Sequence, residues 1–392
     1  MPYAVNAAVA GVETPPATEA ATWIKPDQLR NRVLLDLSQA VPSYPPAEAL
    51  QEELARAARK PEISLYTDIL GLAPLRAAHA VHMARDYAGQ VEAENVAVTA
   101  GCNQAFCAAV MALAQAGDNI ILPVPYYFNH NMWLGMLGIE ARFVPGLTPS
   151  GPWPDIDMAA AAINTRTRAI MLCSPNNPTG SVYPPEVIGA FYDLARERGV
   201  ALIIDETYKD FRHTPAPLHD LFARAGWQDT FIQLYSFSKV FAITGYRVGS
   251  LIAGPRLLAE AEKVLDCVAI SAPHISQRAA LFGLEHLDTW KREKAAVILN
   301  RTAAIMSAFK HPALAYRLVG AGTFFAYVKH PFTGQAAKDV AKRLAGEHDL
   351  LCLPGSMFGP DQEDYLRIAF ANAEASVMPA VVERLIESQH RG

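Results

Sequence analysis

The chain has 392 residues, of which 51% are hydrophobic and 19% charged, and its net charge is −5 with a pI near 6.1. This length and apolar content suit two domains with a large buried core. The sequence contains no basic block, which argues against nucleic acid as the main partner. No apolar run reaches the roughly 20 residues that a membrane-spanning helix needs, so no membrane partner is expected.

The N-terminal stretch and the cysteines bear on the location of the protein. Residues 1–22 contain no Lys or Arg, so they lack the charged start of a signal peptide. Their Ala, Thr and Pro content predicts an arm without a core of its own, and a neighbouring subunit is one candidate for what holds it. An odd number of cysteines without metal-ligand spacing predicts reduced thiols, no metal site and a cytoplasmic protein. The five are Cys102, Cys107, Cys173, Cys267 and Cys352.

Apolar runs alternate with helical stretches from residue 96 to residue 254. Helices between such runs predict a mostly parallel sheet with right-handed crossovers. Ligands of such sheets bind beyond the carboxyl ends of the strands. The predicted strands are nearly continuously apolar, as strands covered on both faces should be: Val96–Thr99, Asn119–Leu122, Ala141–Val144, Ala169–Cys173, Ala201–Ile204, Phe231–Leu234 and Val248–Ala253.

The segments on either side of this region predict a second, smaller α+β domain. Its expected elements are a strand at 33–37, helices at 46–59, 274–286 and 289–310, strands at 322–327 and 364–370, and a last helix around 376–387. We therefore predict an N-terminal arm at 1–32, a small domain formed by 33–60 and 290–392, and a large domain at 61–289.

The segment 235–249 carries a strong chemical pattern, Tyr-Ser-Phe-Ser-Lys-Val-Phe-Ala-Ile-Thr-Gly-Tyr-Arg-Val-Gly. Ser236, Ser238 and Arg247 can hold a phosphate by charge-assisted hydrogen bonds. Lys239, which lies among them, can form a Schiff base with a carbonyl compound. Pyridoxal 5'-phosphate (PLP) has both an aldehyde and a phosphate, so this pattern indicates that cofactor.

Two further motifs turn this pattern into a family resemblance. The Ser-x-Ser-Lys motif is followed by Thr-Gly-Tyr-Arg-Val-Gly at 244–249, and Asn-Pro-Thr-Gly stands at 177–180. With these motifs the chain resembles the fold-type I, class I/II PLP-dependent aminotransferases from about residue 33 to about residue 388. The resemblance implies an α/β fold, a three-layer sandwich with a mostly parallel seven-stranded sheet, plus a smaller α+β domain.

The resemblance also assigns roles at the cofactor. Lys239 binds the aldehyde and then moves the substrate proton. The site must therefore keep this lysine as an imine, or lower its pKa through nearby positive charge and partial burial. Asp205 keeps the pyridinium nitrogen protonated, and Tyr208 donates to the phenolic oxygen; Glu206 and Lys209 next to them are expected to be structural. The other implied contacts are the phosphate turn Gly101, Cys102 and Asn103 at a helix N-terminus, the stacking ring of Tyr127, the amide of Asn177, and Ser236, Ser238, Arg247 and Tyr66.

Four residues are implied to serve the substrate and the assembly. Arg367 is the implied bidentate clamp for the substrate α-carboxylate, which Asn177 also approaches. Ala40 stands at the position of a family glycine beside the substrate, and alanine tolerates positive φ poorly. Tyr66, in Tyr-x-x-x-x-Gly, is implied to cross the interface of a homodimer to the cofactor phosphate of the partner subunit, which places the active site at that interface.

The resemblance implies transfer of an amino group from an amino acid to a 2-oxo acid by a ping-pong mechanism. A PLP-dependent carbon–sulfur lyase, or another eliminating enzyme of the same fold, is the alternative, because such enzymes share the Lys, Asp, Tyr and Arg positions. A sensor domain of a transcription regulator would need a DNA-binding extension, for which the residues before the expected fold are too few.

The residues around the expected substrate side chain favour a neutral amino donor, apolar or aromatic. In aspartate-specific relatives a basic residue follows the two small residues of the phosphate turn, whereas Asn103 is neutral here. A second carboxylate buried without a partner would be strongly disfavoured. An arginine of the partner subunit or of the N-terminal segment, such as Arg30 or Arg32, is the alternative. The other nearby candidates are Asn129, His130, Asn131 and Trp133.

Overall fold

A computed structural model gives the fold, and it describes residues 3–24, 32–212, 214 and 216–390. Its strands are β1 (Leu35–Asp36), β2 (Val96–Thr99), β3 (Asn119–Val124), β4 (Glu140–Pro145), β5 (Thr167–Cys173), β6 (Ala201–Asp205), β7 (Phe231–Ser236), β8 (Gly249–Ile252), β9 (Arg317–Gly322), β10 (Phe325–Lys329), β11 (Leu350–Leu351), β12 (Leu353–Pro354) and β13 (Tyr365–Ala369).

The helices occur before, between and after these strands. They are α1 (Ala7–Ala10), α2 (Pro16–Ala21), α3 (Glu48–Ala57), α4 (Ala73–Tyr87), α5 (Cys102–Leu113), α6 (Phe128–Met136), α7 (Ile156–Ala162), α8 (Pro185–Arg198), α9 (Phe237–Val240), α10 (Pro255–Ala269), α11 (His274–His286), α12 (Asp288–Ala308), α13 (Ala337–His348) and α14 (Met378–Gln389). Across the described ranges, none of them has the length and apolar content to cross a membrane.

The central sheet has seven strands in the order β2-β8-β7-β6-β5-β3-β4. Strands β7, β6, β5, β3 and β4 are parallel, and β8 runs antiparallel to both β2 and β7. Alternate residues of β5 enter different cores: Ile170 and Leu172 join one core cluster with α8 and α11, and Met171 joins another with α5 and α10. Because helices cover both faces, the strands are apolar throughout, and the predicted three-layer α/β fold is confirmed.

A second, four-stranded antiparallel sheet has the order β12-β13-β10-β9. It shares a core cluster with α12, α13 and α14, whose buried members include Ile305, Leu344 and Leu385. Strand β1 pairs in parallel with β11 and leads into the segment that approaches the central sheet. Helix α3 packs on α11, and Leu50 and Leu54 enter a core cluster of the central sheet.

The described part of the N-terminal arm contacts its own chain. Ala20 of α2 is fully buried in a cluster with Leu353 and Phe358. Glu19 forms a 2.6 Å ion pair with Lys338 of α13. Helix α2 therefore lies on the second sheet and its helices, close to the strand ends of the central sheet.

Candidate active site

A cavity of about 280 Å³ lies at the carboxyl ends of β2, β3, β5, β6 and β7. Gly101 follows β2 and lies against Arg247. Tyr66 is 75% exposed and does not line the cavity within the single chain. The other predicted site residues all line it: Ala40, Cys102, Asn103, Tyr127, Asn177, Asp205, Tyr208, Ser236, Ser238, Lys239, Arg247 and Arg367.

Lys239 lies on α9, the short helix that begins where β7 ends. The Ser236 hydroxyl oxygen accepts a hydrogen bond from the Ser238 backbone N–H at 3.2 Å and so caps this helix. The Lys239 Nζ donates to the Ala40 carbonyl oxygen at 2.5 Å. Burial, reinforced by the guanidinium groups of Arg247 and Arg367, lowers the pKa of Lys239 to about 8. A neutral amine, the form that attacks a carbonyl, is therefore accessible near physiological pH.

Arg247, Ser238 and Gly101 form one wall of the cavity. The Arg247 Nη1 donates to the Thr244 carbonyl at 3.1 Å and to the Ser238 Oγ at 3.4 Å. Gly101 has φ +88, and a Cβ built there would lie 2.4 Å from the Arg247 Nη2. Since Gly101 immediately precedes α5, the guanidinium lies against the first turn of a helix. Such an arrangement of cation, hydroxyl and free N–H groups suits a phosphate.

Asp205 ends β6 with a buried carboxylate. Its Oδ2 is 3.5 Å from the His130 Nε2, and its Oδ1 accepts from the Thr207 backbone N–H at 3.0 Å. Burial alone would raise the pKa of Asp205, but the contacts with His130 and Thr207 outweigh it and hold that pKa below its ordinary value. The carboxylate thus stays ionised and can face a protonated ring nitrogen.

The role of His130 was not predicted from the sequence, which indicated this histidine only as a neighbour of the substrate side chain. In the structure its ring lies behind Asp205, between Phe106 and Tyr127, with centroid distances of 4.4 Å and 5.2 Å. A signal was available, because His130 comes three positions after Tyr127, and this spacing at the start of a helix places the two side chains on one face. From the start of α6, the Tyr127 side chain therefore reaches the cavity, and the His130 side chain reaches Asp205 behind it.

Arg367, on β13, is a buried cation without an ion-pair partner in the described part of the chain. Its Nη1 donates to the Asn177 Oδ1 at 3.1 Å and its Nη2 to the Ser38 carbonyl oxygen. Its buried Nε has no hydrogen-bond partner among the residues that the structure describes. Burial lowers the pKa of Arg367 to about 10. A buried guanidinium with an unused donor favours an anionic ligand.

The hydroxyls of Tyr127 and Tyr208 complete the polar lining. Burial raises the pKa of Tyr127 to about 12 and that of Tyr208 well above its usual range, so both keep their protons at neutral pH. Tyr208 packs on Phe324 and Phe325 at centroid distances of 5.2 Å and 5.1 Å. Ala40 does not have positive φ, so alanine fits the backbone at the position of the family glycine.

Glu206 and Lys209 form contacts away from the cavity. Glu206 accepts from the Tyr87 hydroxyl at 2.6 Å and lies 3.2 Å from His219. The Lys209 Nζ lies 2.7 Å from a carboxylate oxygen of Asp86. Throughout the residues that the structure describes, the cysteines are free thiols and no cluster of His, Cys, Asp or Glu is arranged for a metal ion.

The family model of class I and II aminotransferases matches residues 32–385. The chain belongs to this family. An aromatic aminotransferase of Arabidopsis thaliana is 28% identical over 360 residues, which cover 90% of this chain and 88% of the relative. An arginine–pyruvate transaminase of Pseudomonas aeruginosa is 31% identical over 309 residues, or 77% of each chain.

The fold of this aminotransferase also matches a solved structure over nearly its whole length. The crystal structure of an aspartate aminotransferase from Thermotoga maritima has a TM-score of 0.89 at 24% identity and covers 98% of this chain and 99% of its own. Amino-group transfer, predicted from the sequence, is confirmed, and the carbon–sulfur lyase alternative is not favoured.

Aminotransferases of this class use PLP, and the residues of the cavity fit that group. The Arg247 guanidinium and the hydroxyls near it suit a phosphate, the buried Asp205 carboxylate suits a protonated ring nitrogen, and the Lys239 amine suits an aldehyde. Gly101 supports the same assignment, since any side chain there would displace the Arg247 guanidinium.

Proposed function

We propose that this aminotransferase takes the amino group of an amino acid with a neutral side chain, that a 2-oxo acid accepts it, and that Lys239 transfers the proton. The observation that carries the proposal is the position of the Lys239 Nζ, which shares one buried cavity with the carboxylate of Asp205 and the guanidinium groups of Arg247 and Arg367. When bound, PLP supplies an aldehyde for amine capture and a ring that draws electrons from the substrate Cα.

The main residues of the site have separate tasks in this proposal. Arg247 and Ser238 hold the phosphate, and Asp205, supported by His130, faces the ring nitrogen. Tyr208 remains a protonated hydroxyl and donates a hydrogen bond. Arg367 binds the substrate α-carboxylate and thereby orients Cα towards the Lys239 Nζ, which removes the Cα proton as a neutral amine and later returns it.

The remaining site residues bind the cofactor or line the substrate side of the cavity in this proposal. Ser236 and the turn formed by Gly101, Cys102 and Asn103 complete the phosphate site, and the ring of Tyr127 stacks on the cofactor. Asn177 donates to the phenolic oxygen and lies next to the substrate carboxylate. The backbone of Ala40 lines the substrate side of the cavity.

The charge of the lining supports a neutral side chain. Once Lys239, Arg247 and Arg367 have these tasks, no further cation lines the cavity within the described residues. Arg32 forms a 2.9 Å ion pair with Glu387 instead, and Arg30 lies outside the described residues. The lining also includes apolar side chains, those of Ala17, Val41, Phe128 and Leu353. The relatives named above act, by their names, on aromatic amino acids, arginine or aspartate, so their names leave the substrate class open.

The assembly and the domain division are also part of the proposal. Tyr66, exposed in the single chain, would reach the cofactor phosphate of the partner subunit in a homodimer. The small domain would comprise 33–60 and 290–392 and the large domain 61–289, after an arm at 1–32. Helix α3 packs on α11, so the segment 33–60 would cross from the small domain to the large one.

A donor panel tests the substrate class. Steady-state kcat/KM is measured for neutral, acidic and basic amino acids with a fixed 2-oxo acid. We expect an apolar or aromatic donor to exceed aspartate by about 100-fold or more, since a second buried carboxylate without a partner would cost several kcal/mol. A higher kcat/KM for aspartate than for every neutral amino acid would refute the neutral pocket.

Chemical trapping tests the role of Lys239. Borohydride reduction of the holoenzyme followed by tryptic mapping is expected to place the phosphopyridoxyl group on Lys239. Lys239→Ala should lose both this adduct and turnover. A label on Lys209, which is buried between Asp86 and Asp210, would show that the assignment is wrong.

A further inference from the structure

We propose that Arg301, on the long helix α12, is a positioning residue that sets the affinity of the active site for the substrate carboxylate. It acts through residues 38–44, which we call the strap segment. The inference rests on the proposed role of Arg367 as the carboxylate clamp.

Arg301 joins three parts of the chain. Only 2% of the side chain is exposed. Its Nη1 donates to the Ala371 carbonyl oxygen, and its Nη2 donates to the Ser43 Oγ at 2.8 Å and to the Glu374 Oε1 at 2.6 Å. Ala371 comes four residues after Arg367, just beyond the end of β13, and Ser43 belongs to the strap segment. One guanidinium thus fixes the strap segment relative to the strand that carries the clamp.

A second contact with the same helix fixes the strap segment. The Tyr44 ring packs edge-on against Trp290 with a centroid distance of 5.8 Å, and the Lys294 Nζ lies 5.2 Å from the centre of the Tyr44 ring. Trp290 and Arg301 are about three helical turns apart on α12. The strap segment is therefore attached to α12 at two neighbouring residues, Ser43 and Tyr44.

The other end of the strap segment reaches the reacting groups. The Ser38 carbonyl accepts from the Arg367 Nη2, and the Ala40 carbonyl accepts from the Lys239 Nζ. A shift of the strap segment would move the acceptor of Arg367, whereas Lys239 stays on α9, which Ser236 caps independently of the strap segment. The shift would turn the guanidinium of Arg367 away from the geometry that a bidentate carboxylate contact requires.

The contacts of Arg301 suit positioning better than stability alone. Its carboxylate partner, Glu374, is 67% exposed, so their ion pair adds little to the free energy of unfolding. Within the described ranges, the buried Arg301 Nε has no hydrogen-bond partner. An apolar side chain of similar volume would fill the same space without burying a charge. Such a side chain would, however, form no hydrogen bonds to Ser43 and Ala371, so the distance between these two residues would no longer be fixed.

The test uses the holoenzyme and the variants Arg301→Lys and Ser43→Ala. Arg278→Lys is the matched control, because Arg278 pairs with Glu53 at 3.4 Å between α11 and α3, outside the cavity lining. The dissociation constant of an α-methyl amino acid, which binds but cannot lose a Cα proton, is measured by absorbance titration. KM and kcat follow for the preferred donor, and a primary amine without a carboxylate provides a second titration.

We expect Arg301→Lys and Ser43→Ala to raise the dissociation constant and KM about tenfold, the effect of roughly one hydrogen bond to a charged group. Their kcat and their affinity for the carboxylate-free amine should stay within about a factor of three of the parent enzyme. A threefold change corresponds to less than half the free energy of a tenfold change, so the two outcomes can be told apart. Arg278→Lys should leave all four quantities unchanged. Equal losses for both titrants, or an unchanged KM, would overturn the inference. If Arg301→Lys does not fold, Ser43→Ala decides the result alone.

Arg367→Lys separates this inference from the proposed function. If Arg367→Lys weakens binding of the α-methyl amino acid and the strap variants do not, the role of Arg301 is refuted and the clamp stands. If Arg367→Lys leaves binding unchanged, the proposed clamp itself is wrong.

Discussion

The Nη1 of Arg367 donates to the Oδ1 of Asn177 at 3.1 Å, although 190 positions separate the two residues in the chain. Asn177 follows β5 of the central sheet, and Arg367 lies on β13 of the second sheet. The bond therefore joins the two sheets in the lining of the cavity. Because an amide oxygen is a weaker acceptor than a carboxylate, the guanidinium is oriented without being neutralised, and it keeps its charge for an anionic ligand.

Gly101→Ala should weaken retention of PLP. The added Cβ would lie 2.4 Å from the Arg247 Nη2, and alanine is strained at φ +88. Gly117→Ala is a matched control, since Gly117 also has φ +88 but nothing lies within 4 Å of an added Cβ. Both changes should lower the free energy of unfolding by about 1–2 kcal/mol. We expect only Gly101→Ala to raise the dissociation constant of PLP, by about tenfold or more, in a fluorescence titration.

Equal PLP affinity in the two glycine variants would contradict the proposed phosphate site. The thermal unfolding of both variants is measured in the same buffer. Unequal unfolding temperatures would show that the two substitutions do not impose the same backbone strain, and Gly117→Ala would then not be a matched control.

His130→Phe should slow the reaction through Asp205. Phenylalanine fits between Phe106 and Tyr127 but removes the contact of the His130 Nε2 with the Asp205 carboxylate at 3.5 Å. Without this contact the pKa of Asp205 should rise, so activity should be lost at a higher pH as the solution is acidified. A hydrogen bond to a charged group contributes about 1.5–3 kcal/mol, so kcat/KM should fall roughly 10–100-fold.

The control for this change is His79→Phe. His79 is also buried among aromatic rings, but its Nε2 bonds to the Ser250 hydroxyl at 2.8 Å and it lies outside the cavity lining. Its replacement should leave the acid limb of the pH profile in place. The same shift in both variants would mean that His130 acts only through packing.

Lys239→Met should stabilise the cofactor-free protein in a pH-dependent way. The pKa of Lys239 is about 8, below its ordinary 10.5. Above pH 8 the folded protein releases this proton while the unfolded chain keeps it, so the parent gains stability as pH rises towards 10.5. Below pH 8 the charged amine destabilises the fold by up to about 3 kcal/mol. The advantage of Lys239→Met in urea unfolding should therefore be largest below pH 8 and should vanish towards pH 10.5.

Lys209→Met is the opposite case. Its ammonium lies 2.7 Å from Asp86 and 3.5 Å from Asp210, and the charges of these carboxylates outweigh burial and raise the pKa of Lys209. Removal of the ammonium leaves both carboxylates short of a partner and should destabilise the protein by about 3 kcal/mol at neutral pH. Stabilisation by Lys209→Met, or destabilisation by Lys239→Met, would reverse the assignment of the two lysines.

The sequence predicted the cavity well where a site residue follows a strand directly. Asp205 ends β6, and Lys239 comes three residues after the end of β7. The motifs and the family resemblance singled out these two residues, and the apolar runs placed both at the carboxyl ends of strands. The role of the Ser38 carbonyl could not be predicted in this way, because backbone acceptors carry no residue signature. Its contact with Arg367 also joins residues 329 positions apart. The role of Arg301 could not be predicted either, because nothing in the sequence distinguishes it from the other arginines on helices.

The surface around Tyr66 suits contact with a second copy of the chain. The Thr67 backbone N–H donates to the Ser271 hydroxyl at 3.3 Å, which brings this loop beside the end of α10. Leu65 and Val268 are both well exposed in this region. Exposed apolar side chains such as these suit the interface of the proposed homodimer. Tyr66 is 75% exposed and does not line the cavity of its own chain, as the proposed contact with a partner subunit requires.

Tyr66→Phe should weaken retention of PLP without dissociating the assembly. The lost hydroxyl would remove one hydrogen bond to the phosphate of the partner subunit, worth roughly 1.5–3 kcal/mol, or about 10–100-fold in the dissociation constant. Tyr3→Phe, at a tyrosine that is 90% exposed on the arm, is the control and should have no effect. PLP titrations are combined with light scattering at the assay concentration, where the parent enzyme is expected to be a homodimer. A fully active monomer, or unchanged PLP affinity in a dimeric Tyr66→Phe variant, would exclude a role for Tyr66 across the interface.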